Sequence, residues 1–187
     1  MSSARLNADI RALAPRARLA FALLLCERML PNLQLYCAAT AQLVGPAPNA
    51  LEALWALAIG ERKTIGEHWG ERLDQFLDEF DDSDSAGAVA SRHAVMAIRC
   101  ALDLALEGEG DGAIEVSRLS RDDVRLFLEA QHGEQLVLRD QPLMQDEFAV
   151  QQALVEALTE AHSRDALLAL RQELREVGVS NLGISGD

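Results

Sequence analysis

From Leu19 the chain carries eight apolar residues without a break, Leu-Ala-Phe-Ala-Leu-Leu-Leu-Cys26, followed by Glu27-Arg28, Met29, Leu30 and Pro31. A helix that is apolar on every side leaves no face for water, so it belongs in the middle of a helical protein. The run predicts a central buried helix over about 16–30, opened by Pro15 in its first turn and ended by Pro31. Around it the spacing is amphipathic. Leu6, Ile10 and Leu13 fall at i, i+4 and i+7, a short helix. Asn32 suits the N-cap of a third helix carrying Leu33, Leu35, Tyr36 and Cys37. Gly45-Pro-Ala-Pro48 reads as a loop. Asn49 with Glu52 resembles a capping pair before Leu51, Leu54, Trp55 and Ala58.

The second half continues the pattern. Thr64 with Glu67 has the spacing of a capping box. Trp69, Leu73, Phe76, Leu77 and Phe80 then form the cleanest amphipathic stripe in the chain. Ser85 is placed to cap a long helix to Glu107, with Val89, His93, Met96, Cys100 and Leu104 on one face. A helix follows from about Asp111 to Gln131, with Gly133 near its end. Val137 and Leu138 read as loop. Pro142 opens a helix with Met144, Phe148, Gln151, Val155 and Leu158 in register. Ser163 caps the last helix, where Leu167, Leu170, Leu174 and Val177 face inward and Gly178 provides the stop. The expectation is one all-α domain over 1–187, a bundle of eight or nine helices around the central one. The C-terminal tail, 179–187, is apolar enough to dock.

Composition supports helix over sheet: aromatics are 4% of the 187 residues, and Ala, Leu, Glu and Arg dominate. The formal net charge of −13 repels phosphate backbones and anionic lipid, which argues against nucleic acid and membrane surfaces as partners. Cys26, Cys37 and Cys100 form no CxxC pair and lie in apolar helical patterns, as reduced core thiols do. The arginines ahead of the Leu19–Cys26 run give it the outline of a secretory signal. Leu25 stands where a cleavage site wants a small residue, Asp9 sits in the would-be basic region, and the helical pattern continues into Met29 and Leu30, so a buried helix of a cytoplasmic protein is the expectation.

Candidate chemistry is thin. Asp82-Ser-Asp84-Ser-Ala-Gly87 begins like a calcium loop, but Ala86 and His93 occupy its fifth and twelfth positions, where oxygen ligands are needed. Gly108-Glu-Gly-Asp-Gly112 follows no strand and reads as an acidic turn rather than a phosphate cradle. Glu129-Ala-Gln-His132 is half of a di-iron carboxylate set with no second copy. His68 and Glu71 point away from the Trp69–Leu73 face, and His93 on an apolar face reads as a satisfied core histidine. No metal, cofactor or catalytic residue is assigned. The candidate polar cluster is Glu27, Arg28 and Asn32. Adjacent helix positions do not face each other. The structural reading sets Glu27 at the positive N-terminus of the helix beginning near Asn32, and lets Arg28 bond carbonyls ending its own helix or reach a carboxylate elsewhere. The functional reading places them on a pocket wall.

At these residues the chain resembles the YjaG-like bacterial family, domain of unknown function 416. The resemblance lies in Cys26-Glu-Arg-Met-Leu-Pro-Asn32 with Tyr36-Cys37 and Thr40, in Ala113-Ile-Glu-Val-Ser117, and in the ending Leu170–Ile184. It implies an all-α fold and a cytoplasmic bacterial protein, and it carries no activity. The chain departs from the family pattern at Leu33, where an aromatic is usual, and over 83–93, where the family has an aspartate and aromatics before an Asp-Ala-Cys run. If that segment serves a common function, it is altered here. The first functional expectation is a non-enzymatic helical module that binds a protein partner, including a second copy of itself. The alternative is a small-molecule binder or enzyme with a pocket near Glu27, Arg28 and Asn32.

Overall fold

The computed structural model describes residues 2–108, 110–133, 137–161 and 163–184. Its helices are α1 Ser3–Ala12, α2 Pro15–Thr40, α3 Ala47–Ala58, α4 His68–Glu79, α5 Ala86–Glu107, α6 Gly112–His132, α7 Pro142–Glu160 and α8 Arg164–Val177, with a 3-10 turn at Leu138–Asp140. The result is an all-α domain. Helix α2 runs through its centre, packed against α3, α5, α6, α7 and α8. Every residue from Leu19 to Cys26 is buried, so the unbroken apolar run is the inner half of this helix. No helix among the described residues is long and apolar enough to cross a membrane.

The expected stop at Pro31 does not occur. Helix α2 continues for nine residues beyond it, and Asn32 lies inside the helix rather than at the cap of a third one. Proline within a helix costs about 3 kcal/mol, because it removes one i→i−4 bond and crowds the preceding turn. Leu33 and Cys37 on the far side are fully buried. Burying a large apolar side chain contributes about 1.5–3 kcal/mol, so the packing beyond Pro31 offsets its local cost. The helix ends at Ala41, which takes φ 55 while its N–H bonds the Cys37 carbonyl.

Two other local readings are replaced. Helix α3 begins at Ala47 with Pro48 in its first turn, so Asn49 and Glu52 are not a capping pair. Helix α4 begins at His68, and no side chain caps it, so the Thr64–Glu67 box is not made. The serine caps form as the spacing predicts: Ser85 Oγ accepts from the Ala88 N–H and Ser163 Oγ from the Ala166 N–H. Gly178 closes α8 at φ 63. A Cβ on Gly112 would lie 2.8 Å from the Cys100 carbonyl, so glycine there sets how closely α5 and α6 approach.

Candidate functional site

Glu27, Arg28 and Asn32 divide between two faces of α2. Successive helical residues are separated by 100° around the axis, while residues four apart share a face. Glu27 turns toward α8 and α3; Arg28 and Asn32 turn together toward α6, α7 and the segment after α8.

On the first face, the Glu27 carboxylate accepts from Arg171 Nε at 2.7 Å and from Arg175 Nε and Nη2 at 2.9 and 3.0 Å. Both arginines also donate to Glu52 on α3, and Arg171 lies 4.8 Å above the Trp55 ring. Burial alone would raise the Glu52 carboxyl, but the two guanidiniums outweigh it and hold it below the usual range. Glu27 therefore meets arginine side chains, not the N-terminus of a following helix, since α2 has no break after it.

On the second face, Arg28 reaches a carboxylate, one of the two fates open to it from sequence. Its Nη1 donates to Glu147 Oε2 at 2.6 Å, and the Glu147 side chain is 0% exposed. Ser120 Oγ and Gln151 Nε2 donate to the other Glu147 oxygen at 2.6 and 2.7 Å. Asn32 donates to Asn181 Oδ1 at 2.8 Å. The Asn181 amide in turn donates to the Ser120 carbonyl and hydroxyl and to Asp123 Oδ2. His93 Nδ1 lies 2.6 Å from Asp123 Oδ1. One buried polar network thus joins α2, α5, α6, α7 and the C-terminal segment. Burial pushes the Asp123 carboxyl up to about 6, opposed by the His93 and Asn181 hydrogen bonds and aided by the nearby Glu147 charge. His93 is hydrogen-bonded, as expected of a histidine on an apolar face.

Glu147, Ser120, Asp123 and Asn181 were not singled out from sequence. Their signal was present in register: Glu147 and Gln151 occupy the Met144–Val155–Leu158 stripe of α7, where only burial with a partner tolerates a polar side chain. Asn181 sits between the apolar residues Val179, Leu182 and Ile184 of the tail. The tail expectation extends to 179–187, of which 185–187 lie outside the described residues; Ser180 and Asn181 are buried. Cys26, Cys37 and Cys100 are free thiols. Among the described residues, no three His, Cys, Asp or Glu side chains gather in a way that could hold a metal ion.

Two hollows meet at Arg28. A cleft of about 290 Å³ is lined by Glu27, Arg28, Pro31, Gln34 and Arg175. Beside it a groove of about 490 Å³ runs between α7 and α8, walled by Val150, Leu154, Leu170, Leu174, Val177 and Val179. Val177 is 66% exposed, high for a valine. Asn32 lines neither of these; it lines a separate apolar hollow beside Tyr36 and Leu182.

Known proteins are similar to this chain in sequence, and a solved structure is similar to it in architecture. The family described as "Protein of unknown function (DUF416)" matches residues 5–185. An "Uncharacterized protein" of Haemophilus influenzae is 32% identical over 175 residues, 89% of each chain. "Uncharacterized protein YjaG" of Escherichia coli is 30% identical over 168 residues, 86% of each chain. The crystal structure of a DUF416 family protein from Shewanella baltica OS155 superposes with a TM-score of 0.86 at 27% identity, covering 96% of this chain and 97% of that one.

Proposed function

This chain belongs to the DUF416 family, and from that premise we propose that it is a non-enzymatic helical protein-interaction module whose docking surface is the groove between α7 and α8. The observation that carries the reading is the apolar wall itself, with Val177 and Val179 exposed at its edge. Contiguous exposed apolar surface on a soluble protein is a mark of association. The buried carboxylates beside the groove, Glu27 and Glu147, are each met by side-chain donors, which is how a supporting framework is built rather than a reactive centre. The occupant is an apolar segment of a partner protein with basic residues on its flank. Glu173 lines the groove and the exposed Glu160 lies one helical turn beyond Ala157, so a cationic flank is complementary to the rim. The net charge of −13 further disfavours nucleic acid and anionic membrane as partners, and the three thiols fit a reducing, cytoplasmic setting.

The alternative, a small-molecule site uniting Glu27, Arg28 and Asn32, has less support, because Glu27 and Arg28 border one hollow and Asn32 another. A photo-crosslinking residue in place of Ala153, which borders the groove, tests the interaction reading in cells. A discrete protein adduct is expected from position 153, none from the exposed Lys63, and loss of the adduct on Leu170→Glu. An adduct of twice the chain's mass identifies a second copy as the partner. Absence of any adduct from position 153, or the same adducts from both positions, refutes the groove.

A further inference from the structure

Arg28 is more buried than a groove-lining arginine needs to be, and it is only half used. Its side chain is 11% exposed and borders both the polar cleft and the apolar groove. Nη1 is committed to Glu147, and among the described residues no atom accepts from Nε or Nη2. Those two N–H groups form the edge of a guanidinium that grips a carboxylate through two parallel hydrogen bonds. The fold thus fixes one corner of Arg28 against α7 and leaves its bidentate edge without a partner among the described residues, on a side chain that lines both hollows.

The rest of the groove fits this. Arg28 marks one end, since it reaches Glu147 near the start of α7, while on the other wall Val177 ends α8 and Val179 follows it. Away from that end the groove carries Glu173, so an anionic group is accepted at Arg28 and repelled further along. From Val150 to Ala157 the groove spans seven helical steps, about 10 Å, which an extended chain covers in about three residues.

We propose that Arg28 reads a free C-terminal carboxylate: the partner segment that enters the α7–α8 groove is the end of a chain, its last three or so residues apolar and its α-carboxylate seated on the Nε–Nη2 edge of Arg28. The proposal rests on the groove being a protein-docking surface and deepens it by stating which part of the partner enters. Basic residues upstream of the terminus then pass Glu173 and Glu160.

Selection from two random octapeptide libraries tests it on the full-length protein: one displayed with a free C-terminus, the other with the same octamers embedded before a fixed tail. Enrichment from the free-terminus library alone, converging on apolar final positions, is the expected result. Equal enrichment from both overturns the carboxylate reading and leaves the groove standing. Enrichment from neither overturns both. An enriched peptide is then labelled at its N-terminus and measured by fluorescence anisotropy as acid and as amide. The amide should bind at least tenfold more weakly. Arg28→Lys keeps the charge that Glu147 needs but removes the fork; it should weaken the acid tenfold and leave the amide unchanged, with an unaltered thermal melt. Ala153→Trp, which fills the groove while leaving Arg28 itself in place, should abolish binding of both forms. Acid and amide of equal affinity on the parent protein would reject the proposal whether or not the variants fold.

Discussion

Replacing Arg28 with Met removes the cation that faces a fully buried carboxylate. Glu147 would keep Ser120 and Gln151, both of which donate to Oε1, but Oε2 would lose its partner. Breaking a buried ion pair by deleting one member costs about 3–5 kcal/mol, because an uncompensated charge remains in a low-dielectric site. The two surviving donors place the expected loss near the lower end, about 3 kcal/mol. With a urea m-value of about 2 kcal/mol/M, the unfolding midpoint should fall by about 1.5 M. The paired change Arg28→Met with Glu147→Gln removes both charges while keeping a group that Ser120 can bond, so most of the loss should return. Equilibrium urea unfolding of the parent, both single variants and the double variant gives the coupling directly. A loss below about 0.5 kcal/mol for Arg28→Met, or a double variant no more stable than that single one, would show that the pair does not hold α2 to α7.

Three further outcomes follow from the same geometry. Glu27→Gln should destabilise by about 2 kcal/mol, less than a fully buried pair, because Glu52 still anchors both arginines; a melt unchanged from the parent would refute the Arg171–Arg175 clamp. Asp123 in the folded protein titrates near 6 against an ordinary 3.8, so the native state binds its proton more tightly than the unfolded chain. That contribution is fully present below about pH 4 and is lost as pH rises through 6, at most about 3 kcal/mol; Asp123→Asn should remove this part of the stability-versus-pH curve, and an identical curve for both proteins would contradict it. Gly112→Ala should cost about 1–3 kcal/mol by driving a Cβ against the Cys100 carbonyl, and a denaturation midpoint at or above the parent's would mean that α5 and α6 are less tightly apposed.

Periodicity and helix-end chemistry made much of the fold legible. The Leu19–Cys26 run is buried at every position because no arrangement of a helix can hide only part of a side that is apolar all round. Ser85, Ser163 and Gly178 sit at helix ends for reasons confined to a few neighbouring residues: a hydroxyl within reach of an orphan N–H, or a residue free to take positive φ. Pro31 was misleading by the same local logic. Its cost is local and visible in sequence, whereas the burial of Leu33 and Cys37 that offsets it depends on helices far along the chain.

The polar residues divide the same way. That Glu27, Arg28 and Asn32 need partners was evident from the apolar residues before them, since a buried charge without one is too costly to persist. Which partners they have was not. Arg28 and Glu147 are 119 residues apart, Glu27 and Arg175 are 148 apart, and Asn32 and Asn181 are 149 apart. Sequence by itself determined that this is an all-helical protein built around one apolar helix, because helix formation and amphipathic burial depend on spacings of three and four residues. Tertiary structure alone decided that Glu27 meets the arginines of α8 while Arg28 meets Glu147 of α7, that Asn181 closes the network begun by Asn32, and that a groove opens where α7 and α8 part. Those facts depend on how helices pack across the whole chain, and no short-range pattern encodes them.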